Sequence, residues 1–171
     1  MKYRSSFLNE ISARGFIYQS SDIDELDKLM KKKSITAYIG FDITNDSLHI
    51  GSLVQLMLLN WLDYYEHKTI ALVGGGTTLV GDPSGKDESR KILKKSDIEK
   101  NIAKIEKTFF KFINLNKKAK IINNYEWLSN INYINFLRDI GSKVTINKML
   151  TFDSVKNRLD REQPLSFLEF N

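Results

Sequence analysis

At 171 residues, 42% hydrophobic and 27% charged, the chain has the size and apolar content of one cored domain, and neither the apolar depletion nor the charge excess of a disordered one. It has no cysteine and only two histidines, His49 and His67, which excludes disulfides, thiolate metal sites, cysteine nucleophiles and multi-histidine zinc sites and points to a reducing, cytoplasmic compartment. The net charge of +5 permits a polyanionic partner without requiring one, because the lysines at 31–33, 94–95 and 117–120 serve equally well as solvated helix ends or loops.

Taken in chain order, no apolar run follows the N-terminal Met-Lys-Tyr-Arg, and residues 1–34 read as a helical N-terminal region of the one domain. Within it Ile23, Leu26 and Met30 recur at helical spacing behind the cap candidates Ser20, Ser21 and Asp22. A strand is expected over Ile35 to Phe41, followed by the polar turn Asp42, Thr44, Asn45, Asp46 and Ser47 and a helix from Ile50 to about Glu66. The most apolar part of that helix, Leu53 to Leu62, is interrupted by Gln55 and Asn60 and is too short to span a membrane. A second strand, Thr69 to Val73, leads into the glycine-rich Gly74 to Gly81. Ser96 and Glu99 have capping-box form ahead of Ile98, Ile102, Ile105, Phe109 and Phe112, one apolar helix face. Ala119 to Asn123 reads as a third strand, and Tyr133, Phe136, Leu137 and Ile140 as a helix with Gly141 placed to cap it. A second capping box, Ser166 to Glu169, announces a helix that Asn171 cuts off, so the sequence reads as a piece of a longer protein or as one whose last residues fray. Strands alternating with helices predict an α/β fold with a Rossmann-like parallel sheet, flanking helices, right-handed crossovers and a ligand at the carboxyl ends of the strands.

Two phosphate-binding motifs fail on spacing. Gly81-Asp-Pro-Ser-Gly85-Lys86 places three residues between its glycines where a P-loop has four, and Asp87 stands where the magnesium-binding hydroxyl should follow. Gly74-Gly75-Gly76 lacks the pattern of a dinucleotide fingerprint. The turn into the helix at Ile50 remains, where unpaired backbone N–H groups and the positive end of the helix dipole meet His49 and Gly51. That dipole disfavours an imidazolium, so a neutral His49 is expected to donate to a phosphate oxygen. Lys86 and Arg90, on a Gly/Pro segment, are cations able to stabilise a leaving pyrophosphate without a covalent nucleophile.

Tyr38-Ile-Gly-Phe-Asp42-Ile-Thr44, Ser47-Leu-His49-Ile-Gly51-Ser52, Leu72-Val73-Gly-Gly, Gly81-Asp82-Pro-Ser-Gly-Lys86 and Asn123-Asn124-Tyr125-x-Trp127 follow one another in a familiar order. In order and spacing the chain resembles, from about Tyr38 to its last residue, the N-terminal half of the catalytic domain of tyrosyl-tRNA synthetases. The His-Ile-Gly block alone would fit any class I synthetase; the Gly-Phe-Asp and Gly-Asp-Pro-Ser-Gly-Lys blocks narrow it to the tyrosyl branch, and Tyr38 sets it apart from the tryptophanyl one.

The resemblance implies that Tyr38 hydrogen-bonds the phenol of L-tyrosine and that Asp82 receives its ammonium, with Thr77 and Asn124 near the same pocket. It implies ATP contacts from Gly40, Asp42, His49, Gly51 and Ser52, and stabilisation of the departing pyrophosphate by Thr44, His49, Lys86 and Arg90. Magnesium would arrive with ATP rather than on a protein site, and the partners would be tRNA(Tyr) and, in the full-length protein, a second subunit. Ser52 stands where the family often has a second histidine. The family's Tyr, Gln and Asp that complete the tyrosine pocket, its lysine loop and its anticodon-binding region have no counterpart here, so this chain alone is expected to lack half the active site.

Overall fold

A computed structural model describes residues 2–80, 93–113, 119–162 and 167. Helices α1 (Ser6–Ala13) and α2 (Ile23–Lys32) precede strand β1 (Thr36–Phe41), and α3 (Ile50–Tyr64) leads to β2 (Lys68–Val73). Helices α4 (Gly75–Val80) and α5 (Lys95–Phe112) come before β3 (Lys120–Asn123). The short helices α6 (Tyr125–Leu128), α7 (Tyr133–Asp139), α8 (Ile146–Met149) and α9 (Asp153–Asp160) complete the described part. The strands lie in the order β1-β2-β3, all parallel, with Tyr38 beside Ile70 and Ile70 beside Lys120. The expected parallel α/β sheet is therefore present.

The core lies on one face of that sheet. Phe7, Leu8 and Ile11 of α1, Leu56, Leu59 and Leu62 of α3, and Ile98, Ile105 and Phe109 of α5 form one buried cluster with Phe41, Ala71 and Val73. Phe109 meets Phe41 edge-on at a centroid distance of 4.8 Å, a geometry favoured by the ring quadrupoles. Because side chains alternate along a strand, Tyr38 and Gly40 fall on the other face with Ile70, Leu72 and Ile122. There Tyr38 is 67% exposed and the three aliphatic residues are half-buried.

The N-terminal region is tied down by one carboxylate. Asp22 caps α2 by accepting the Glu25 N–H at 2.9 Å, and one turn further on the buried Asp27 accepts the N–H groups of Arg4 at 2.9 Å and Ser5 at 2.7 Å. Burial raises the Asp27 carboxyl, but the two backbone donors and the Arg4 charge together outweigh it and leave the group below its usual 3.8. A carboxyl held low by folding contributes stability above its unfolded value, here 3.8, and loses it as pH falls through the lower folded value. Asp27→Asn is therefore expected to lower Tm at pH 7, with the two proteins' Tm values converging as pH drops below 3.8 in a thermal melt series. A constant difference across that range would show that the carboxylate charge is not what holds the N-terminus.

Three local expectations need correction. α5 starts at Lys95, with Lys94 as a cap that makes no side-chain bond, so Ser96 lies inside the first turn. Glu99 faces Lys95 at 3.9 Å, and Lys95 sits over the Tyr125 ring at 4.5 Å; these contacts hold the helix start at 95 and leave the capping box unmade. Along the same helix Phe112, expected on the apolar face, is 39% exposed where the helix runs out past the core. At the end of α7 the cap is Ile140, whose N–H reaches the Phe136 carbonyl at 2.9 Å, while Gly141 opens a 3-10 turn through Lys143 without a left-handed conformation. The glycine-rich segment, to which the sequence assigns no element, forms helix α4. Its glycines serve close approach: a methyl at Gly75 would run into the Asn123 amide, and one at Gly76 would meet Leu128 at 3.0 Å and Asn124 at 3.2 Å. The expected capping box at 166–169 falls almost wholly outside the described residues.

Candidate active site

The residues following β1 form a cavity of about 520 Å³. Gly40, Asp42, Thr44, His49, Gly51 and Ser52, six of the residues expected around a nucleotide, all line it. Its wall extends to Asn45, Ser47 and Leu48 and along the first turns of α3 to Val54 and Gln55. This is the carboxyl end of β1, where ligands of open parallel sheets bind.

His49 is the N-cap of α3, and its Nδ1 accepts the N–H of Gly51 at 3.0 Å. The nitrogen that accepts carries no proton, which leaves the proton of a neutral imidazole on Nε2. One ring nitrogen thus caps the helix, and the other remains a donor in a cavity wall beside the helix N-terminus. Gly51 is required for this arrangement, because a Cβ there would stand 2.7 Å from Cε1 and 2.9 Å from Nδ1 of His49. Ser52, in the place of a second histidine, is only 5% exposed, and its N–H bonds the His49 carbonyl at 2.9 Å, so its short side chain forms part of the cavity floor.

The turn itself is held from outside. Ile43, fully buried, has its N–H accepted by Thr78 of α4 at 3.2 Å and its carbonyl bonded by the Asn101 amide of α5 at 3.3 Å. Asp46 pairs with Lys104 of α5 at 2.7 Å, and the Lys104 hydrogen bond, aided by its charge, keeps the Asp46 carboxyl below its usual range. None of Thr78, Asn101 or Lys104 is signalled by the sequence, since they lie 35 to 58 residues from their partners. Leu48, Val54 and Gln55 were also not singled out by the sequence, although Gly51, Ser52 and Gln55 share one face of α3 by their spacing.

Thr77 and Asn124 are brought together at the carboxyl ends of β2 and β3. The Asn124 amide donates to Thr77 Oγ1 at 3.2 Å, its Oδ1 accepts the Gly76 N–H at 2.7 Å, and Thr77 Oγ1 donates to the Gly74 carbonyl at 3.2 Å. Asn124 therefore stitches the start of α4 to the end of β3. Tyr38 lies on the open sheet face two residues before Gly40. Asp82, Lys86 and Arg90 lie outside the described residues. Among the described residues no three His, Asp or Glu side chains gather as a metal site, and no helix is long and apolar enough to cross a membrane.

Residues 30–171 match the family described as tRNA synthetases class I (W and Y). The chain is 56% identical over 175 residues to the tyrosine-tRNA ligase of Wolbachia pipientis subsp. Culex pipiens, covering 100% of this chain and 42% of that protein. It is 54% identical over 172 residues to the tyrosine-tRNA ligase of Brucella abortus (strain 2308), covering 99% of this chain and 41% of the relative. Among solved structures, a C-terminally truncated Aspergillus nidulans mitochondrial tyrosyl-tRNA synthetase superposes with a TM-score of 0.85 at 29% identity, over 96% of this chain and 50% of that one. The chain thus spans about two fifths of the length of the curated relatives it matches.

Proposed function

The chain belongs to the class I tRNA synthetases of the tryptophan and tyrosine family, and from that premise we propose that it supplies the ATP-binding part of a tyrosine-tRNA ligase acting in the cytoplasm. The carboxylate of L-tyrosine attacks the α-phosphate of ATP, which carries Mg²⁺, to give tyrosyl-adenylate and pyrophosphate; the tyrosyl group then passes to tRNA(Tyr). The observation that carries this reading is His49, fixed by its own cap bond at the N-terminus of α3 and in the wall of a cavity. Charge moves onto the leaving pyrophosphate as the α-phosphate is attacked, and the role assigned to Thr44, His49, Lys86 and Arg90 is to stabilise that charge. Gly40, Asp42, Gly51 and Ser52 receive the rest of the nucleotide.

Tyr38, Thr77, Asn124 and Asp82 form the tyrosine side, with the Tyr38 hydroxyl selecting the substrate phenol. Relatives named as tyrosine-tRNA ligases at 54–56% identity support that choice within the family. Residues 1–34 act as a helical N-terminal region of the single catalytic domain. Two subunits associate in the full-length protein, which suits the exposed Trp127, Ile131, Ile134, Ile140 and Phe152 on and between α6 and α9.

The test is amino-acid-dependent ATP–pyrophosphate exchange, run on this sequence extended past Asn171 in the same reading frame, with its mass taken by sedimentation. Tyrosine should drive exchange far better than phenylalanine or tryptophan, in a particle of twice the chain mass. A folded protein that exchanges with none of the three would overturn the assignment, and a monomer active in exchange would overturn the pairing.

A further inference from the structure

We propose that Asn101 and Lys104 are positioning residues for nucleotide binding, which act from α5 as an external brace on the turn between β1 and α3. The inference rests on the nucleotide role proposed for the cavity. Asn45 and Ser47 line the cavity, whereas Asp46 between them is not part of its wall and pairs with Lys104 at 2.7 Å. Three residues earlier Ile43 is fully buried, with its carbonyl on Asn101 and its N–H on Thr78. Asn101 and Lys104 are three apart on α5, so they lie on one side of that helix and grip the turn at two points. Thr44 and Asn45, both in the cavity wall, occupy the span between those points. A turn fixed at both ends presents its groups to the phosphates without first being ordered by them, so removal of the brace appears as a loss of ATP affinity rather than of the chemical step.

The link between Asp46 and Lys104 is exposed, and ion pairs of this kind alter equilibria by about two- to fivefold. Lys104→Met should therefore weaken ATP binding about two- to fivefold by titration calorimetry and raise the ATP KM in the exchange assay equally, leaving the tyrosine KM and kcat in place. Lys104→Arg should restore affinity, and Asp46→Asn combined with Lys104→Met should be no worse than either single change, since both remove the same tie. Lys100→Met, which removes the same charge from a neighbouring position that faces Asp97, should change nothing. Asn101→Ala and Lys104→Met should also speed amide hydrogen exchange at residues 43–48 without any nucleotide present. Unchanged hydrogen exchange would overturn the brace, and faster hydrogen exchange with unchanged ATP affinity would overturn its link to the nucleotide. If the extended protein fails to exchange pyrophosphate with tyrosine, the proposed function falls, while hydrogen exchange and calorimetry still decide on the brace.

Discussion

His49→Asn in the extended protein is expected to cut the rate of tyrosine-dependent ATP–pyrophosphate exchange by roughly 10²–10³-fold, the usual cost of removing one preorganised donor to developing charge. The choice of asparagine separates the two jobs of this side chain. Asparagine is a good N-cap, so it keeps an acceptor for the backbone N–H that His49 Nδ1 now receives from Gly51. What it lacks is the donor on the far side of the ring. Tm should therefore stay close to that of the parent while kcat falls, whereas His49→Ala should lower both, because the orphan N–H at the start of α3 loses its partner. Gly51→Ala should behave like a histidine variant, since its methyl displaces the ring that the Gly51 N–H holds. Exchange by His49→Asn within twofold of the parent would show that the cap is the only function of the residue.

The second large effect concerns Tyr38. Tyr38→Phe should reduce the preference for tyrosine over phenylalanine, read as the ratio of kcat/KM values in the exchange assay, by about 10–100-fold. The loss should fall on tyrosine, whose phenol would be left without a partner on the enzyme. Stability should not change, because Tyr38 is 67% exposed on the sheet face that carries no core. An unchanged ratio would remove Tyr38 from the pocket.

Much of the fold could be read from periodicity. Ile23, Leu26 and Met30 marked α2, and Ile98, Ile105 and Phe109 marked the buried side of α5, because an apolar stripe must face the core wherever the neighbours lie. The strands were found to within a residue, and six of the residues singled out at the end of β1 and beyond it do share one cavity wall because its lining is drawn from a single short stretch, 40–55. What could not be read depends on distant partners. Ser96 and Glu99 had the form of a capping box, but Lys95 had an alternative partner in Tyr125, thirty residues away in sequence and adjacent in space. The three glycines at 74–76 matched no phosphate-binding pattern, and the reason for two of them, the space taken up by Asn123, Asn124 and Leu128, lies far along the chain. Asn101 and Lys104 look like any polar residues on an amphipathic helix until the fold lays them against Ile43 and Asp46.

The distance along the chain between the cavity and its brace also orders events during synthesis. The lining residues leave the ribosome together, but the Ile43 carbonyl must wait for Asn101, 58 residues later. At about 5–20 residues per second the delay is about 3–12 s, long compared with the microseconds in which helices and hairpins form. Over that interval the nascent polypeptide has all the side chains of the cavity but not the ties from α5 to its turn, so the pocket is completed by a segment that does not line it.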